Sequence, residues 1–430
     1  MSFRHHTRRS VLQRGAAATA VLIACGNAAA QGEARLRMFW WGSRERAERT
    51  DRVNRLFQEK NASITITGET LGWSDYWPRL ATQTAGRNAP DVIQMDYRYI
   101  YEYARRGALM PLDSFVGKGI DLGDFSAAAI DSGKVDGKIY GVSLGLNSTA
   151  MFFDKTLIAS LGLTPPTVDL TWAQVGELAL EITKAVKRPG FFGLFDAGRY
   201  EPALEVWLRQ RGKALYTEDG KLAFDAADIG EWLAFWHELR KRGAIASAEV
   251  AALDMGELDT SLLTLGKSAM VFAHSNQLVG FQALVKGRLG MTMYPSGGAG
   301  AKYGQYLKPS MLLSVYSRTK HPEASAKLLD FYVANKDAGI ILGVERGVPA
   351  SAKVREAVQP TLEELGNAMA AYVAFVSDKV SPLPPPPPQG AGEIQTVLRR
   401  VNEQIGFGRQ SVADGAKQFI AEATAVLARG

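Results

Sequence analysis

Leu36-Arg37-Met38-Phe39-Trp40-Trp41-Gly42-Ser43 is the stretch on which the fold turns. It is a short apolar run that stops at a glycine, and residues 47–59 follow with Val53, Leu56 and Phe57 on one helical face. That order reads as strand, loop, helix. The pattern then repeats. Ile64 and Ile66 alternate as a second strand, Trp73-Ser74-Asp75 supplies capping residues, and residues 76–84 take helical character. Pro90-Asp91-Val92-Ile93-Gln94-Met95-Asp96 is a third strand, ahead of a helix over 98–106 and a stop at Gly107. Three strand-to-helix units in a row predict a parallel α/β sheet.

Further along, Val135-Asp136-Gly137-Lys138 and Thr217-Glu218-Asp219-Gly220-Lys221 place Asp-Gly between strand formers, a hairpin signal that adds antiparallel pieces. Helices are expected over 172–185, 201–211, 228–242, 322–334 and 412–427. In the third of these Trp232, Phe235, Trp236 and Leu239 recur at helical spacing, as a core stripe does. Pro384 to Pro388 must be extended, and because a patterned region follows at 394–405 they read as an ordered crossing. No repeat of solenoid length is present.

The N-terminus carries Arg4, Arg8, Arg9 and Arg14 with no acid, then the apolar run 15–24, then Ala28-Ala29-Ala30. That is the order of an export signal over residues 1–30. Arg8-Arg9-Ser10-Val11-Leu12 resembles a twin-arginine signal. Ten apolar residues are too few to span a bilayer, and they lack the polar face of an amphipathic helix. The single cysteine lies in Leu22-Ile23-Ala24-Cys25-Gly26, which resembles a lipobox. Cleavage after Ala30 would release a soluble periplasmic protein; cleavage before Cys25 would leave a lipid anchor. Neither fate permits a disulfide scaffold or a cysteine-ligated metal. The formal charge of +6 falls to +2 once the four signal arginines are removed, which gives no reason to expect nucleic acid.

A search for catalytic groups returns little. Beyond the signal only His237, His274 and His321 remain, widely spaced. The cluster Gly297-Gly298-Ala299-Gly300 has neither phosphate-loop nor dinucleotide spacing, and no nucleophile elbow is present. What stands out is aromatic residues at strand ends and in loops: Trp40, Trp41, Trp73, Tyr76, Trp77 and Tyr97. Loops after parallel strands are where open α/β sheets bind ligands, and a flat ring beside a carboxylate or amide suits a sugar.

Phe39-Trp40-Trp41-Gly42-Ser43, Ala89 to Asp96, Gly137 to Val142, Gly266 to Met270 and Glu345-Arg346-Gly347-Val348-Pro349 occur in the order and spacing of a known family. The chain resembles the family 1 extracellular solute-binding proteins, sugar-capturing subunits of bacterial ABC importers that include the maltose-binding type. The resemblance implies a two-lobe periplasmic binding protein fold, each lobe a mixed, mostly parallel sheet flanked by helices, joined by a hinge of three crossings. These would fall near Asn147-Ser148, Pro309-Ser310 and Glu345-Arg346, giving lobes of 36–147 plus 310–345 and 148–309 plus 346–430. Closure around the ligand needs no catalytic group. No cofactor is expected, the partners are a carbohydrate and the membrane permease of an ABC importer, and the protein would act as a monomer.

Carried over by position, the first lobe would contribute Trp41, Ser43, Glu45, Trp73, Asp96 and Tyr97 to the ligand, and the second lobe Tyr200, Glu201, Trp207, His274 and Asn276. Asn147, Ser310 and Arg346 would line the cleft floor at the crossings. Family members often have an aromatic where His274 stands, which points to a different ligand. Arg346 also reads as a salt bridge locking the hinge. Arg44, Arg98, Arg199 and Arg346 allow an acidic sugar. Two other classes share parts of this inventory: a periplasmic glycosidase or polysaccharide lyase using Asp96 and Glu201 as its carboxylates, and an exported redox protein, for which the ligands are missing.

Overall fold

The computed structural model describes residues 34–385 and 387–429. The export signal, its Ala28-Ala29-Ala30 site, Cys25 and Pro386 lie outside the described residues. The chain opens with β1 (Ala34–Trp41), α1 (Arg44–Lys60), β2 (Ile64–Leu71), α2 (Trp73–Ala85), β3 (Val92–Met95) and α3 (Tyr97–Arg105). β1 pairs in parallel with β2 and with β3, as the three strand-to-helix units require. Because β1 has helices on both sides, its last four residues are all buried and the alternation of its start is lost. Gly68 of β2 shows how tightly this is packed: a Cβ there would lie 2.4 Å from the Trp40 ring, so the large residue of β1 needs the absent one of β2.

The hairpin of β4 (Lys134–Val135) and β5 (Lys138–Ile139) follows, with Asp136 and Gly137 both at positive φ as a two-residue turn demands. Among the described residues it pairs only with itself and adds no strand to a larger sheet. Next come β6 (Val142–Ser143), β7 (Gly145–Asn147), β8 (Thr149–Asp154), α4 (Trp172–Val186), β9 (Phe192–Leu194), α5 (Glu201–Gln210) and α6 (Ala226–Lys241). β10 (Ser268–His274), β11 (Leu289–Thr292), β12 (Lys308–Pro309), β13 (Leu312–Val315), α7 (Pro322–Ala334), β14 (Val348–Pro349), α8 (Ala391–Gly406) and α9 (Val412–Leu427) complete the frame. The second Asp-Gly turn closes only the single bridge Tyr216↔Leu222, because Asp225 caps α6 almost at once and leaves no room for a strand.

Two lobes result. The first sheet has the order β2-β1-β3-β13-β6, with β13 antiparallel to both neighbours. The second has the order β11-β8-β10-β9, where only β10 and β9 run parallel. Its mixed character comes from β8, which meets both neighbours head to tail. Each sheet has its own buried cluster: Leu36, Trp40, Phe57, Ile100, Leu312 and Tyr332 belong to one, and Phe152, Trp172, Trp232, Phe272, Val401 and Phe419 to the other. Between them a three-stranded antiparallel sheet, β12-β7-β14, joins the two bodies. The chain therefore passes three times through strands only two or three residues long.

The core stripe of α6 is confirmed, with Trp232, Trp236 and Leu239 buried and Phe235 half-buried. Two expected loops are helical instead. Arg44 and Glu45 lie in the first turn of α1, and Trp73-Ser74-Asp75 open α2. In each case a residue just upstream takes the extended cap conformation, Ser43 for α1 and Gly72 for α2, so the helix starts earlier than its apolar stripe.

Candidate functional site

The β-to-α turns of the first lobe face the hinge. At β1 to α1, Gly42 adopts φ 151°, which only glycine takes readily, and a Cβ there would lie 2.3 Å from Cδ of Arg46. Arg46 thereby folds under the turn, donating to both Glu345 carboxylate oxygens and, at 3.0 Å, to the Trp41 carbonyl. Ser43 caps the helix by accepting from the Arg46 N–H, and Glu45 pairs with Arg49 one turn on at 2.9 Å. Both candidate ligand contacts are thus engaged in building α1. Arg346 is likewise turned into the first lobe, where it donates to Thr50 and Gln94 at 2.7 and 3.2 Å. Burial, set against Glu345, drops its pKa to about 10. Ser310 donates its hydroxyl to the Arg346 carbonyl. These two residues fasten the third crossing to the first lobe and do not line the enclosed space as the sequence reading expected; the salt bridge that Arg346 also suggested is a 3.9 Å approach to its chain neighbour Glu345.

At β3 to α3 the turn serves two ends. Asp96 caps α3 by accepting from the Arg98 N–H at 2.8 Å, and its other oxygen meets Lys308 of β12 at 3.4 Å. Burial opposes its charge, but Lys308 and Arg98 outweigh that and hold the carboxyl below its ordinary range. Arg98 reaches across to the second lobe, where its guanidinium binds Glu201 in the first turn of α5 and Gln395 of α8. Glu201 is buried and shifted upward by that burial in spite of Arg98. Glu205, one turn later on the same face, is raised to about 6 by burial and then by Glu201; it accepts from the Tyr306 hydroxyl at 2.7 Å. Tyr97 donates to the carbonyl of Pro384 at 3.3 Å, so the proline strap forms a wall. The space enclosed by Asp96, Arg98, Glu201, Glu205, Lys308 and the prolines is about 40 Å³.

Deeper, where β10 ends, His274 Nδ1 lies 3.4 Å from the Tyr200 hydroxyl. Burial and then Lys308 lower its pKa to about 3, so it is neutral at pH 7. In the hinge sheet Asn147 is opposite Lys308 and donates to Asn276 at 2.5 Å. Its own side-chain oxygen is buried without a hydrogen-bond partner among the described residues. A buried amide oxygen left in that condition costs stability unless a ligand or water meets it.

The structure thus brings Asp96, Tyr97, Asn147, Tyr200, Glu201, His274 and Asn276 together. Trp41 and Trp73 belong to an aromatic group with Tyr76, Trp77 and Tyr99 and do not line the enclosed space. Trp41 is packed from several sides and buried, whereas Trp73 keeps part of its surface open. Trp207 is elsewhere. At about 100° per residue it lies roughly 200° around α5 from Glu205, so it enters the second-lobe core against Trp172 and Trp232, with Arg211 over its ring at 3.5 Å. Glu205, Tyr306 and Lys308 were missed. Their signals were modest: Glu205 follows Glu201 by one helical turn, and Tyr306 and Lys308 alternate into the crossing at Pro309.

Among the described residues, no group of three or more His, Cys, Asp or Glu is placed to hold a metal, and no helix is long and apolar enough to cross a membrane. Residues 55–366 match the family model described as bacterial extracellular solute-binding protein. The chain is 30% identical to an extracellular solute-binding protein family 1 structure from Alicyclobacillus acidocaldarius, with a TM-score of 0.66, covering 92% of this chain and 99% of that one. A periplasmic oligogalacturonide-binding protein from Yersinia enterocolitica superposes with a TM-score of 0.84 at 21% identity, covering 92% and 99% of the two chains. A maltooligosaccharide ABC transporter solute-binding lipoprotein from Streptococcus pneumoniae is 23% identical over 401 residues, 86% of each chain. With two lobes joined by three short strands, and with most of its length matched by that model, the chain belongs to the bacterial extracellular solute-binding proteins.

Proposed function

We propose that this protein captures a carbohydrate outside the cytoplasm and delivers it to the permease of an ABC importer. The observation that carries the reading is that buried polar groups from both lobes and the hinge meet at one place: Arg98 on Glu201, Asp96 on Lys308, Asn147 beside Asn276. Hydroxyls are read well by such groups, since one left unpaired in a closed cleft is costly. The carbohydrate relatives from Streptococcus and Yersinia support the ligand class. In this reading residues 36–147 with 310–345 move against 148–309 with 346–430, about β7, β12 and β14. The protein works as a monomer with no cofactor and no nucleic acid, and no bond is made or broken.

The same reading takes the first thirty residues as an export signal of twin-arginine type to the periplasm, with Cys25 discarded or lipidated. Native mass spectrometry of protein purified gently from its host tests the ligand class, because a retained ligand gives its own mass. A hexose or uronate spacing supports the proposal, and a ligand of any other chemistry refutes it. Incubation with that sugar should produce no new reducing ends.

A further inference from the structure

The cleft carries a charge pattern that narrows the ligand. Four arginines were candidates for holding an acidic sugar, and three are engaged elsewhere. Arg44 is on the surface beside Glu48, Arg199 donates to the carbonyls of Ala251 and Asp254, and Arg346 is bound to Thr50 and Gln94. Arg98 alone of the four reaches the cleft, and its guanidinium is occupied by Glu201 from the opposite lobe and by Gln395. The other cation, Lys308, is matched to Asp96. Three buried carboxylates face them, Asp96, Glu201 and Glu205; the last is hydrogen-bonded by the Tyr306 phenol, while the nearby Arg209 lies over that ring at 5.1 Å and gives its hydrogen bonds to the Gly304 and Pro382 carbonyls.

We propose that the cleft selects a neutral sugar, and that Glu201 is the residue that sets this preference by holding the place on Arg98 that a ligand carboxylate would need. The inference rests on the carbohydrate reading and deepens it. A guanidinium presents its fork to one carboxylate at a time. A uronate entering the cleft would have to evict Glu201, leaving that carboxylate buried beside Asp96 and Glu205, or else sit near all three. A sugar hydroxyl faces no such conflict. It donates to the free lone pairs of a carboxylate that Arg98 already holds, or accepts from the remaining guanidinium N–H groups.

The test is isothermal titration calorimetry of the mature protein against two length-matched panels, neutral gluco-, xylo- and galacto-oligosaccharides on one side and oligogalacturonides on the other. At least one neutral sugar is expected to bind, with every oligogalacturonide about 100-fold weaker or more. An oligogalacturonide that binds as tightly as the best neutral sugar overturns the inference and leaves the carbohydrate reading standing. Silence across both panels overturns both. The variant Glu201→Gln, checked for folding by circular dichroism, frees Arg98; it should lose neutral-sugar affinity and gain about 10-fold or more for oligogalacturonides. If it folds and its preference is unchanged, Glu201 does not set the preference. If it does not fold, the wild-type panels alone decide.

Discussion

The eight tryptophans of this protein divide equally between the lobes, and the two sets do opposite things. In the second lobe Trp172, Trp207, Trp232 and Trp236 are all buried and meet one another edge to face, with Phe272 against Trp172 and Trp236. In the first lobe Trp40, Trp41 and Trp77 are buried but Trp73 stays partly open in the first turn of α2. The difference follows from position in the fold. Trp232 and Trp236 recur on one face of a long helix, which must go to a core, while Trp41 and Trp73 sit where a strand gives way to a helix, at the end of the sheet that faces the other lobe. The same residue type is therefore packing in one place and, at Trp73, left with open ring surface in the other.

The strongest way to break this contrast is Trp232→Ala. Its ring is fully buried and its indole N–H donates to the Gly198 carbonyl at 3.0 Å, so the variant should lose about 3–5 kcal/mol in denaturant unfolding. A loss under about 1 kcal/mol would mean the second-lobe cluster is not a core. Trp207→Ala and Trp73→Ala sharpen it. The first should cost roughly 3 kcal/mol of stability with sugar affinity kept, and the second should cost little stability but about tenfold in affinity. A reversed result in calorimetry and melting would assign the two rings the other way.

Two smaller effects separate the lobes by charge. Glu205 shares α5 with Trp207 but faces the cleft, and its folded pKa of about 6 lies above the ordinary 4.5. The folded state then binds the extra proton, so stability falls as pH rises from 4.5 through 6, by about 2 kcal/mol in all. Glu205→Gln should remove that loss in a pH series of unfolding midpoints, whereas an unchanged series would show that Glu205 titrates normally. Across the cleft, α2 has Gly72 at its cap and no side chain of its own to close it, and the Ser74 N–H is met by Glu257 of the second lobe at 2.8 Å. Glu257→Gln should weaken the closed form by about 1 kcal/mol, visible as a larger average radius in X-ray scattering at low ligand. No change in radius would mean this contact does not bias closure.

Much of the frame was legible because it depends on local chemistry. The three strand-to-helix units, the Asp136-Gly137 turn and the helix Pro322–Ala334 follow from periodicity, positive-φ residues and a proline in a first turn. Asp96, Glu201, His274 and Asn147 were legible through family position. Trp207 and Arg346 turn into the lobes, and Ser43 and Glu45 are taken up in building α1, because sequence places a residue near a site without saying which side of its helix or crossing it takes. Lys308, Glu205 and Tyr306 were missed for the converse reason: each acquires its role only from a partner more than a hundred residues away or on another element.

In the proposed function the lobes close on a sugar that meets the open ring of Trp73. The most direct test is a tryptophan-fluorescence titration of wild type, Trp73→Phe and Trp207→Phe with the ligand that mass spectrometry identifies. The account predicts a saturable change in wild type and Trp207→Phe that is largely lost in Trp73→Phe. A change that survives in Trp73→Phe and vanishes in Trp207→Phe, or no saturable change in any of the three, would contradict it.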